Sequence, residues 1–228
     1  IDNLERIRIS SIEASQLTDE VIQVIAASTK VVRHLHIPLQ SGSDSVLKRM
    51  RRKYTMAHFS ERLTRLHEAL PGLAVTSDVI VGFPGETEEE FQETYDFIVD
   101  HHFSELHVFP YSSRIGTPAA RMDDQIDEQV KNERVHRLIS LSDQLAKAYA
   151  SQFDQDVLEV IPEEQGDQPG TLVGYADNYM KVQFSADEDL IGQLVKVKIT
   201  KADYPINEGQ VLRVISHASN QTEHTIVT

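Results

Sequence analysis

HLHIPLQSGSDSVLKRM, residues 34–50, begins as an apolar run and ends with helical spacing, and Gln40-Ser41-Gly42-Ser43-Asp44 is packed between the two. A strand that passes into a helix through small polar residues is the opening of a βα unit. Gly42 opens the turn, and Ser43 or Asp44 offers the oxygen that a helix N-terminus prefers. A cap needs only one side chain. The surplus of donors and acceptors at a helix start, where partial positive charge gathers, equally suits an anionic or polar ligand.

The same alternation extends to both sides of this stretch. RIRISSIEA (6–14) is a β-branched strand candidate, and LTDEVIQVIAAS (17–28) carries apolar residues at helical spacing behind Thr18. HLHIPLQ (34–40) reads as a second strand, followed by helical patterns at 44–51 and 56–69. AVTSDVIVGF (74–83) is apolar enough to be buried on both faces. Thr87 with Glu90 three residues on then forms the capping box of an acidic-headed helix. SELHVFPYS (104–112) supplies a fourth strand, so the fold class is α/β with parallel βαβ units in a sheet or partial barrel. From Asp123 helical spacing continues for some eight turns, with Val130, Leu138, Leu141 and Leu145 among its apolar positions. Past Asp154 come VLEVIPEE, GTLVGYADNYMKVQFS, IGQLVKVKITKADY and GQVLRVIS, separated by QPG, ADN and NEG. Short strands at that spacing make a small OB-like β-barrel. The expected organisation is residues 1–153 for the α/β part, 154–217 for the barrel and 218–228 for a disordered polar tail.

Zero cysteines exclude disulfides, thiolate zinc sites and any thiolate-held iron–sulfur cluster within these residues. The formal charge of −14 is unevenly spread: residues 1–70 carry eleven Lys/Arg against eight Asp/Glu, and residues 153–228 carry five against thirteen. The chain is therefore no general polyanion binder, and nucleic-acid contact has to come from local patches such as KRMRRK at 48–53. No run reaches membrane-span length, and IDNLERIRI has neither an initiating Met nor a secretory core. A cytoplasmic protein cut from a longer chain is expected.

In parallel α/β folds the carboxyl ends of the strands and the loops that follow them form the ligand face. Here those ends carry Ser10, Ser11 and Glu13; Gln40, Ser41, Gly42 and Ser43; Asp78 with Gly82-Phe83-Pro84-Gly85; and Phe109, Pro110, Tyr111 and Ser112. GFPGET either brings bare backbone to a ligand or only makes a tight turn. KRMRRK is either a solvated helix face or an anion clamp, with Arg52 the candidate fork. His34 and His36 share one strand face without a carboxylate at supportive spacing, so no protein-held metal is expected.

HIPLQSGSDSVLKRMRRKYT, SDVIVGFPGETEEEF and HVFPYSSRIGTPAARM, in that order, resemble the methylthiotransferases of the radical S-adenosylmethionine superfamily. They are most similar to the branch acting on N6-threonylcarbamoyladenosine at position 37 of transfer RNA. The likeness runs from Arg6 to about Val214, the last segment resembling that family's RNA-binding TRAM module. It implies a partial parallel barrel with S-adenosylmethionine across the strand ends beside a [4Fe–4S] cluster, and a methylthio group added at C2 of the modified adenine. It also implies residue roles. Gln40, Ser41 and Ser43 would hydrogen-bond the cofactor's ribose or methionyl part, and Arg52 would meet its carboxylate. Val79, Ile80 and the Gly82 backbone would flank the adenine, with Phe109 and Tyr111 completing the slot. Ser11 and Glu13 would face the substrate base, while Lys181, Lys196, Lys198, Lys201 and Arg213, on one surface, would contact RNA.

The sequence departs from the family pattern in lacking the CxxxCxxC cluster loop and the cysteines of the N-terminal domain, and four of the six barrel strands are counted. The chain is therefore expected to be inactive alone. An open edge at RIRISSIEA is expected to favour self-association. Other branches of the family, acting on isopentenyladenosine or on a ribosomal protein, and a non-catalytic RNA-binding fragment remain as alternatives. So does an unrelated phosphate-binding α/β barrel.

Overall fold

The computed structural model describes residues 4–215. They divide into two compact units, one of residues 8–31 with 35–145, the other of residues 146 onward together with the segments up to Ile7 and at 32–34. The elements of the α/β part are β1 (Ile7–Ile9), α1 (Asp19–Ala27), β2 (Val31–His36), α2 (Asp44–Arg49), α3 (Met56–Ala69), β3 (Ala74–Val81), α4 (Glu88–Asp100), β4 (Glu105–Pro110) and α5 (Glu128–Ser151). The strands form one sheet in the order β1-β2-β3-β4. β3 and β4 run parallel, with Asp78 opposite His107 and Ile80 opposite Phe109.

The core lies where the apolar periodicity puts it. Leu35, Ile37 and Leu39, with Val75, Val79 and Val81 of β3, pack with Phe59, Leu63 and Leu66 of α3 and Phe91 and Ile98 of α4. β3 is buried on both faces as far as Ser77, and Asp78 and Ile80 near its carboxyl end are partly exposed.

Several boundaries differ from expectation. The strand expected over 6–14 is ordered as β only at Ile7–Ile9, because a reciprocal capping pair between Glu13 and Gln16 draws the chain into a short 3-10 turn. The strand expected over 34–40 begins earlier and stops at His36, before Pro38, which has no N–H to give to a ladder. The chain rejoins β3 at a single parallel bridge between Gln40 and Val79. Asp44 does not cap its own helix: its Oδ1 accepts from Met56 N at 2.7 Å and so helps start α3. The capping box of α4 forms as read, with Glu90 N donating to Thr87 Oγ1 at 3.2 Å and Thr87 N to Glu90 Oε2 at 3.0 Å. In α5, Leu138 and Leu141 are buried, but Val130, expected to pack, is 37% exposed. No helix among the described residues is long and apolar enough to cross a membrane.

In the other unit, β5 (Val157–Gln165), β6 (Thr171–Ala176), β7 (Lys181–Ser185), β8 (Val195–Lys201) and β9 (Asn207–Val214) close a barrel in the order β5-β6-β7-β9-β8. β9 enters between β7, to which it runs parallel, and β8, to which it runs antiparallel. Val160, Leu172, Val182, Phe184, Val195, Val197 and Ile199 fill the interior. The disordered tail expected at 218–228 lies outside the described residues.

Candidate functional site

At the carboxyl end of the sheet a cavity of about 380 Å³ is lined by Gln40, Arg52, Ile80 and Tyr111, which the sequence reading had placed together. Arg49, Met50, Arg51 and Phe83 also line it, as does a segment after β4 comprising Thr117, Pro118, Ala119 and Met122. That volume is in the range of small-molecule sites. Gln40 holds φ +63, unusual for a non-glycine residue. It is held there because its N–H donates to Asp78 O and its carbonyl accepts from Ile80 N, both at 2.8 Å. Tyr111 N donates to Val81 O at 2.8 Å, and its ring meets Phe83 edge-on at 5.3 Å.

Five residues read as cofactor contacts are placed elsewhere. Ser41 and Ser43 are buried to 0% and 1% exposure, and their hydroxyls are spent on protein. Ser41 Oγ lies 3.2 Å from Thr94 Oγ1, which also accepts from Gly42 N at 2.9 Å, and Ser43 Oγ lies 2.9 Å from Ser45 Oγ. The run of small polar groups thus seats the turn against α4. Val79 alternates with Ile80 and faces the core, as the two-residue strand period requires. At Gly82 the space a Cβ would need is taken by the Lys131 stem of α5, 2.3 Å away, and its N–H donates to Glu86 Oε2 at 2.6 Å. Phe109, on the face of Ile80, is 50% exposed and stands outside the lining.

Electrostatics separate the arginines at the cavity. Arg49 grips Glu90 with both terminal nitrogens, at 2.9 and 2.5 Å, and also reaches Gly85 O. Glu90 further accepts from the Ser45 hydroxyl. These bonds, that of Arg49 first, hold the Glu90 carboxyl down at about 2. Arg52 pairs with Glu13 at 3.2 Å, so two residues assigned to different ligands meet each other. Ser11 is exposed. Behind the rim, Tyr54 donates to Leu39 O at 3.0 Å, and burial pushes its hydroxyl up to about 12.

The sequence reading missed the segment at 117–122, whose approach depends on tertiary placement, and the pairing of His36 with β3. His36 Nδ1 lies 3.0 Å from Thr76 Oγ1, and its Nε2 lies 3.3 Å from Asp78 Oδ2. A signal existed for the latter: His36 and Asp78 each stand at the carboxyl half of a strand, as groups of opposite charge tendency.

The five basic residues of the barrel do not share one free surface. Lys196 and Lys198 alternate outward on β8, with Arg213 opposite Lys196 on β9. Lys181, on β7, pairs with Glu164 at 3.4 Å, and Lys201 is held by Asp203 and Glu208, each at 3.5 Å. The acid-rich barrel thus neutralises two of these five cations, Lys181 and Lys201.

The cavity fits an organic ligand with polar groups. Two of its lining residues carry a buried polar atom without a hydrogen-bond partner among the described residues, Arg49 Nε and Tyr111 Oη. An iron–sulfur cluster does not fit these residues, since the chain offers no thiolate.

Residues 2–98 match the model of the Radical SAM superfamily, and residues 155–212 match that of the TRAM domain. The chain is 68% identical over 227 residues to the threonylcarbamoyladenosine tRNA methylthiotransferase MtaB of Bacillus subtilis, a match covering 98% of this chain and 50% of that protein. It is 39% identical over 216 residues to a tRNA-2-methylthio-N(6)-dimethylallyladenosine synthase of Thermoanaerobacter pseudethanolicus, covering 94% of this chain and 46% of that one. The chain spans about half the length of these curated relatives. Among solved structures, coproporphyrinogen III oxidase (HemN) of Escherichia coli, a Radical SAM enzyme, shares the fold with a TM-score of 0.53 at 16% identity, over 85% of this chain and 46% of that one.

Proposed function

Residues 2–98 of the chain belong to the Radical SAM superfamily and residues 155–212 are a TRAM domain, and from that premise we propose that it is part of a cytoplasmic tRNA methylthiotransferase acting on threonylcarbamoyladenosine. The observation that carries this reading is the 68% identity over 98% of the chain to a relative named for that reaction. We assign residues 1–153 to the α/β part, 154–217 to the RNA-binding barrel, and the cavity at the strand ends to S-adenosylmethionine. Bound there, that cofactor supplies the methyl group and the radical chemistry of the superfamily. This chain's own residues bind and orient. Ile80 and Phe83 offer apolar walls for a purine, the Gln40 amide offers both donor and acceptor, and the unpartnered Tyr111 hydroxyl offers one further hydrogen bond. No step is assigned to a cluster, because these residues cannot hold one.

Two measurements test the reading. Nucleoside mass spectrometry of tRNA from a deletion strain is expected to show loss of the methylthio form of threonylcarbamoyladenosine alone; loss of the dimethylallyl form instead would move the chain to the other branch. Equilibrium dialysis of S-adenosylmethionine against the 228-residue chain is expected to show binding that Ile80→Asp weakens at least about tenfold, the scale of one misplaced charge in an apolar wall. Equal binding by both proteins would place the cofactor elsewhere.

A further inference from the structure

α2 ends on a turn whose residue choice runs against backbone preference. Arg52 N donates to Leu47 O at 2.9 Å and Arg51 N to Lys48 O at 3.1 Å, the paired closing bonds of a Schellman turn. Such a turn needs positive φ just past the cap, where glycine is the usual occupant. Here Arg51 takes the position at φ +59. An L side chain in the left-handed region is disfavoured, so this position spends stability on keeping a guanidinium. A local rule broken without local compensation points to a functional demand.

The surrounding charges say what that demand is. Of the three arginines lining the cavity, Arg49 is committed to Glu90 and Arg52 to Glu13. Arg51 is exposed and has no ion pair or side-chain hydrogen bond among the described residues, and the same holds for exposed Lys48 and Lys53. Nearby carboxylates are occupied, Asp44 by Met56 N as well as Glu13 and Glu90 by their arginines. Three uncompensated cations within six residues, in a chain of net charge −14 whose barrel lysines are partly neutralised, make a local anion-seeking ridge beside the cavity. Lys48, in the last turn of α2, and Arg51, just past its cap, also suit the helix dipole, but Lys53 lies further beyond the helix.

We propose that Lys48, Arg51 and Lys53 bind backbone phosphates of the RNA that flank the nucleotide brought to the rim beside the cavity. This rests on the tRNA reading above and adds to it a phosphate-binding site on the α/β part, apart from the TRAM barrel.

The test is the salt dependence of tRNA binding to the 228-residue chain, followed by fluorescence anisotropy across about 50 to 300 mM salt. Each lost phosphate contact is expected to flatten the slope of log affinity against log salt by about 0.7 to 0.9, so Lys48→Ala/Arg51→Gly/Lys53→Ala should flatten it by about 2 to 3. Arg51→Gly alone should flatten it by about 0.7 to 0.9 while the thermal midpoint holds or rises, since glycine suits the turn. Lys48→Ala/Lys53→Ala should leave S-adenosylmethionine affinity within about twofold, as a contact to RNA alone requires. An unchanged slope in the triple variant, with binding by the parent chain intact, overturns the ridge and leaves the tRNA reading standing. Weaker S-adenosylmethionine binding in Arg51→Gly with an unchanged slope also overturns it, by assigning Arg51 to the cofactor's carboxylate. No tRNA binding by the parent chain even at low salt sinks the tRNA reading, and the ridge with it.

Discussion

Glu90 does three things with one carboxylate: it closes the capping box of α4, accepts the Ser45 hydroxyl and holds the Arg49 fork at the cavity. Its carboxyl is drawn from an ordinary 4.5 down to about 2, chiefly by Arg49. A depressed acid stabilises the fold above its unfolded value and loses that contribution as pH falls through its folded one. Stability should therefore decline between about pH 4.5 and 2, and Glu90→Gln should remove that part of the decline while costing about 1 to 2 kcal/mol at neutral pH. Urea unfolding at a series of pH values measures both. The capping role was legible in the sequence because it is set within four residues. The Arg49 and Ser45 contacts were not, since they join positions more than forty residues apart.

At the scale of elements, the turn between β2 and α2 is positioned by α4. A methyl group at Gly42 would stand 2.5 Å from Thr94 Cα, so Gly42→Ala has to push the turn off the helix, at an expected cost of about 1 to 3 kcal/mol. Thr94→Val keeps the volume but leaves Gly42 N and Ser41 Oγ without their shared partner, with an expected cost of about 1 to 3 kcal/mol by chemical denaturation. Stability unchanged by Thr94→Val would mean that the serines answer to something other than α4. Strand and helix identity was readable throughout because periodicity and caps are local, and α3 begins at Met56 as its spacing requires. The protein contacts of Ser41, Ser43 and Gly82 were not legible for a common reason. Each sits at a strand end, where a small residue serves a ligand or a packed neighbour equally well, and only Thr94 and Lys131, far along the chain, decide between them.

Over the whole molecule, the uneven charge and the sheet's edge govern behaviour in solution. β1 stands at one end of the sheet with three residues of strand, shorter than the sequence suggested. Edge pairing between copies is expected to show as an average mass that rises with concentration in analytical ultracentrifugation, and a constant monomer mass would exclude it. In the barrel, Lys196→Ala/Lys198→Ala should flatten the salt slope of tRNA binding by about 1.4 to 1.8, while replacing Lys181 and Lys201, already neutralised by acids, should change it little. The barrel could be read from turn spacing, but its strand order could not, because the insertion of β9 between β7 and β8 leaves no local trace. That insertion sets a schedule for biosynthesis. A ribosome delivers residues 157–201 first, and until Asn207–Val214 has cleared the exit tunnel β7 and β8 have no neighbour to bridge them, leaving Phe184 and Val197 without their enclosing wall. This unit therefore matures late in translation, and its half-made form is the stage at which a nascent-chain chaperone has most to protect.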